Sequence, residues 1–138
     1  MSEPTPARPS SIFLALLATV TYTACVIAAW GVLSLWLDRD VIGNRDAGTL
    51  VGPVMAAAAS VTTFFSLRGL KTMRTPVVRA FLAVACSYLA MVGVALLGAT
   101  VIVFEVASGP FAITASVLSG LTVIGVWWYE HPRQDPDI

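Results

Sequence analysis

Charge is scarce in this sequence, and its absences are the most informative feature. Asp, Glu, Lys and Arg make up 12% of 138 residues, about half of the roughly 25% usual in a soluble domain. Between Ser11 and Tyr129 they occur only at 38–46, at 68–79 and at Glu105. Four stretches carry no charge at all: Ser11–Leu37, 47–67, 80–104 and 106–129. Other absences exclude whole classes of chemistry. One histidine, His131, cannot make a metal site; standing beside Glu130, it reads as a surface residue. The two cysteines, Cys25 and Cys86, form no Cys-x-x-Cys pair, and both read as small buried hydrophobes rather than a redox couple. There is no P-loop, no His-x-x-x-His and no Gly-x-Ser-x-Gly. No catalytic residue, cofactor or metal is expected. A formal net charge of zero leaves no footprint for nucleic acid.

What is present is apolar length. Each uncharged stretch can cross a hydrocarbon core of about 30 Å at about 1.5 Å per residue. The fold class expected is all-α: a four-helix transmembrane bundle with spans near 11–37, 47–67, 77–104 and 110–129. Residues 1–10, with three prolines, should form a disordered tail, and 131–138 a second short one. The first run has 27 residues, well beyond the 7–15 of a cleaved signal segment, so it reads as a permanent anchor.

Local signals divide the spans. Asn44 and Asp46 are candidate N-caps for the second helix. A helix starting at Pro53 would be too short to cross, so it is expected to begin near Ala47. Pro53 then falls in its second turn with a mild kink. Ser108-Gly109-Pro110 should turn the chain between the third and fourth helices. Trp36 and the run Trp127-Trp128-Tyr129 suit the headgroup level.

Basic residues orient the bundle. Arg68, Lys71, Arg74 and Arg79 stand in the second loop, with Arg8 and Arg133 in the tails, against Arg39 and Arg45 in the first loop. Six against two places both termini and the second loop in the cytoplasm.

Lipid offers helices no hydrophobic reason to associate, so packing falls to small and polar residues. Gly48, Gly52, Ala56 and Ser60 recur every fourth position on the second helix, and Ala112, Ser116 and Gly120 on the fourth, after Ser108. Ala24 with Ala28, and Ala95 with Ala99, are shorter stripes. These are the expected helix-packing faces, toward each other or toward another subunit.

Three sets of residues carry possible function. Glu105 reads either as an interface carboxylate in the outer loop or as a cation- or proton-binding acid paired with Arg39 or Arg45. A polar band of Thr19, Tyr22, Thr23, Ser60, Thr62, Thr63, Ser87, Tyr88, Ser119 and Thr122 reads either as interhelical hydrogen bonding or as the wall of a cavity open to the cytoplasm. Arg68, Lys71, Arg74 and Arg79 form a basic patch for anionic lipid or for an acidic partner.

Richness in Ala and Val, Arg in place of Lys (Lys71 is the only lysine) and brief loops resemble small four-helix membrane proteins of high-GC actinobacteria that have no assigned activity. The resemblance is one of style over the whole chain and transfers no site. Small multidrug exporters carry a Glu in helix one, which is missing here, and quinone-linked thiol oxidoreductases need a cysteine pair. The leading expectation is a non-enzymatic accessory, assembly or scaffolding subunit of the bacterial plasma membrane. Its partners would be the bilayer and a membrane protein or further copies of itself. The alternative is a small oligomeric transporter or channel lined by the hydroxyls.

Overall fold

The computed structural model describes residues 10–43, 50–68, 70, 74–98 and 100–131. All regular structure among them is helical: α1 Ser11–Leu37, α2 Val51–Leu67, α3 Val77–Gly98, a 3-10 turn Thr100–Ile102, α4 Val103–Ser108 and α5 Pro110–Glu130. α1, α3 and α5 are long and apolar enough to cross a membrane, and α2 is a shorter apolar helix of 17 residues.

The helix ends have local causes. Ser10 caps α1 by accepting from the Phe13 amide at 3.3 Å, satisfying one of the first-turn donors. α1 stops at Asp38, which adopts the left-handed conformation at φ 48° and returns its amide to the Ser34 carbonyl. α5 begins with Pro110 directly after Gly109, where proline's missing N–H costs nothing. A Cβ at Gly109 would stand 2.7 Å from the Glu105 carbonyl oxygen, so only glycine fits this turn.

α3 packs along both α2 and α5; α1 packs on the other side of α2 and α5, and α2 also touches α5 across the interior. The buried residues recur at helical spacing: Ala15, Tyr22, Val26 and Trp30 on α1; Met55, Ala59, Thr63 and Leu67 on α2; Ala80, Ala83, Ser87, Met91 and Ala95 on α3. On α5 the buried strip is wider, from Phe111 and Ala112 through Ala115, Ser116, Ser119 and Gly120 to Val123.

The distribution is inverted relative to a soluble bundle. Small and hydroxyl residues fill much of the interior, while Leu35, Trp36, Phe81, Leu97 and Phe104 stand outside at 78–90% exposure. An apolar exterior on this scale needs an apolar solvent, and close helix approach through small residues is how helices hold together in lipid. The chain is an all-α membrane bundle.

Several expectations are corrected. α2 starts at Val51, so Pro53 is its third residue and lies in the first turn. First-turn amides have no intrahelical partner, and no kink is required. The expected start at Ala47 and the caps Asn44 and Asp46 lie outside the described residues. α3 ends at Gly98 rather than 104. Gly98 and the β-branched run from Thr100 to Val103 both weaken a helix there. Glu105 consequently sits on a short helix of its own, α4, and not in a loop.

The packing faces also shift. Ala112, Ser116 and Gly120 are buried, but Gly120 meets α3, where a Cβ would stand 2.6 Å from Val84 Cγ2. On α2 the main buried row is Met55, Ala59, Thr63 and Leu67. Ala56 is buried beside that row. Ser60 is half-buried and reaches α1 through Thr23 at 2.8 Å. Gly52 has no atom within 4 Å of the place its Cβ would take. Gly48 and Ala99 lie outside the described residues. Ala95 is buried, but Ala24 and Ala28 face outward. So does Cys25, expected to be buried; Cys86 is half-buried, and both thiols are free.

Candidate functional site

Thr63 on α2, Ser87 on α3 and Ser119 on α5 are fully buried, and they meet between two apolar clusters. One cluster centres on Tyr22, Trp30, Met55 and Phe111, the other on Ala15, Leu67, Ala80 and Val123. Ser87 donates to Ser119 at 3.1 Å. Thr63 donates to the Ala59 carbonyl at 2.8 Å. Its Oγ1 lies 2.8 Å from Ser119 Oγ. Each hydroxyl has one proton, so the order is fixed: Ser87 to Ser119 to Thr63 to the Ala59 carbonyl. Thr62 lies at the edge, 3.3 Å from Ser87 Oγ and 2.8 Å from the Ala59 carbonyl. The chain of bonds ends on a backbone acceptor, with no base along it to activate a hydroxyl as a nucleophile.

The rest of the expected polar band separates from this cluster. Thr23 pairs with Ser60, while Thr19 and Thr122 bond back to the carbonyls of Ala15 and Leu118. Tyr22 donates to the Ala115 carbonyl at 3.0 Å and fastens α1 to α5. Tyr88 leaves the band: its hydroxyl reaches the Ala107 carbonyl on α4 at 2.7 Å. Among the described residues no buried side-chain nitrogen or oxygen lacks a partner. Sequence reasoning missed Trp30. Its Nε1 donates to the Phe111 carbonyl at 2.9 Å, and its ring meets Phe111 edge-on. Its signal was an indole eight residues from Tyr22, hence on the same helix face.

At the loop-one end, Glu105 draws three segments together. Its Oε1 accepts from the Gly43 amide at 3.0 Å and lies 3.7 Å from Arg39 Nη2. Ser34 Oγ donates to the Arg39 carbonyl at 2.6 Å, holding that residue against the end of α1. A small cleft beside the pair has an apolar floor that includes Met55, Val106 and Phe111 and a charged rim of Arg39, Asp40 and Glu105. Arg45, the other partner considered for Glu105, lies outside the described residues.

At the loop-two end the basic residues have different duties. Arg68 and Arg74 are exposed, and the Arg68 guanidinium lies over the Phe64 ring, 5.9 Å from its centroid. Arg79 is half-buried, and Nη1 donates to the carbonyls of Ser66 and Arg68. These belong to the last turn of α2 and its cap, whose carbonyls lack helical donors. Arg79 thus caps α2 rather than joining a free patch. Lys71 lies outside the described residues. His131 stacks on Trp127 and bonds its carbonyl at 3.1 Å, closing α5. Among the described residues no three His, Cys, Asp or Glu side chains converge to hold a metal.

No curated protein and no solved structure matches this chain. Residues 6–135 match a family of unknown function (DUF6121), and with nearly the whole chain covered, the protein belongs to that family.

Proposed function

We propose that this chain is a non-enzymatic accessory, assembly or scaffolding subunit of the bacterial plasma membrane. It crosses the bilayer four times with both termini and the second loop in the cytoplasm. The orientation is supported by the bias of six basic residues against two. α2 spans about 25 Å by length and crosses with modest local thinning of the bilayer. Composition and the preference for Arg over Lys support an origin among high-GC actinobacteria.

One observation carries the partner-binding reading: the small residues on the outer face of α1. Ala24, Ala28 and Gly31 are exposed, and nothing lies within 4 Å of a Cβ built at Gly31. On α5, Ala112, Ala115, Ser116, Ser119 and Gly120 are buried inside the bundle, whereas these three stand on an exposed face. A glycine and two alanines on a lipid-facing strip permit close approach by another helix. The transporter reading has less support, because the buried hydroxyls satisfy one another.

The test is co-purification in mild detergent with Ala28→Leu and Gly31→Leu. Both variants should fold as the parent does and lose a specific co-purifying membrane protein or a second copy of the chain. A parent protein that runs alone, or variants that keep the same companion, would sink the reading.

A further inference from the structure

The two ends of the bundle treat their arginines differently. At the loop-one end Arg39 faces the Glu105 carboxylate. At the loop-two end no described carboxylate lies within ion-pair distance of Arg68, Arg74 or Arg79. Arg79 Nη1 is bound to two backbone carbonyls at the end of α2, which ties its side chain to that helix. Arg68 and Arg74 are exposed, and the aromatic contact to Phe64 leaves the Arg68 donors open. Below them, one turn into the apolar zone, Phe65, Val78 and Phe81 stand out of the bundle at 60–78% exposure.

We infer that this end binds anionic phospholipid through the exposed guanidinium groups of Arg68 and Arg74, each able to meet a headgroup phosphate, with Arg79 tied to the end of α2 as a structural cap. A guanidinium presents paired donors that match phosphate oxygens. Phe65, Val78 and Phe81 offer exposed apolar surface to acyl chains. An acidic protein would supply carboxylates to the arginines but nothing for these apolar side chains, so lipid is the better match. The inference rests on membrane insertion of the chain, not on its having a protein partner.

The experiment uses the full chain in vesicles of equal phosphatidylglycerol and phosphatidylcholine, released into detergent, with retained lipid counted by native mass spectrometry. The parent should retain phosphatidylglycerol preferentially. The double variant Arg68→Gln/Arg74→Gln should weaken that preference about twenty-five-fold, taking roughly fivefold per arginine near the surface. Arg39→Gln should leave it unchanged. Equal retention of the two lipids, a double variant with the parent's preference, or an Arg39→Gln loss as large as the double variant's would each overturn the site. So would retention of an acidic soluble protein without phosphatidylglycerol enrichment. Alkaline extraction separates the underlying reading: a chain that washes out of membranes sinks insertion and site together, whereas one that stays but shows no lipid preference sinks only the site.

Discussion

Val84 on α3 fills the space that a side chain at Gly120 on α5 would need, with Cγ2 2.6 Å from the Cβ position. Valine is stiff about χ1, so it yields little. Gly120→Ala should destabilise the bundle by about 1–3 kcal/mol, the usual cost of overpacking. Val84→Ala should recover most of that loss in the double variant, because the two sites are coupled through one contact. Thermal unfolding in detergent checks both; additive effects would remove the contact from the account.

Ser119 both accepts from Ser87 and donates to Thr63, so Ser119→Ala cuts two bonds at once. Interhelical hydrogen bonds in membranes average about 0.6 kcal/mol and reach about 1.7, which puts the loss near 1–2 kcal/mol. Thr63→Val should cost no more, since it also cuts two bonds, one of them within α2. Denaturation of the two variants in mixed micelles gives the comparison. A Ser119→Ala protein of unchanged stability would mean that the chain of hydroxyls is not a structural tie.

Tyr22 and Trp30 are the polar fastenings of α1 to α5. Tyr22→Phe removes one of them with little change of shape. It should cost about 0.6–1.7 kcal/mol, read as a lower unfolding midpoint in detergent. An unchanged midpoint would mean that the Tyr22 hydroxyl does not tie α1 to α5.

Glu105 serves Gly43 and Arg39 with the same oxygen. An amide can still accept from Gly43, so Glu105→Gln loses only the ion pair. With Arg39 exposed, that pair is worth about 0–1 kcal/mol. Glu105→Ala loses both contacts and should expose the first loop to proteolysis several times faster than Glu105→Gln. Equal cleavage of the two would show that the Gly43 bond does not hold the loop.

The uncharged runs made the bundle legible because a charge at mid-membrane is costly; α1 coincides with the first of them. Charge was a poor guide to the end of α3, where Gly98 and β-branched residues break a helix without any polar marker. It was equally silent about facing. Small residues at every fourth position occur on inner and outer faces alike, so Gly120 and Gly31 look the same in sequence although one is sealed by Val84 and the other is open. Arg79 looked like its neighbours Arg68 and Arg74; only the packing of the first turn of α3 against the end of α2 shows that it caps a helix. The hydroxyls were visible as a band, but their division into separate bonds depends on helix rotation, which spacing alone does not determine.

The outer face of α1 tests the central claim most directly. A photo-crosslinking amino acid placed at Ala28 and activated in native membranes should give one discrete adduct of defined mass. The same group at Leu97, exposed at 90% on α3, should give none. A discrete adduct at Leu97 with none at Ala28, or no adduct from either position, would contradict the account.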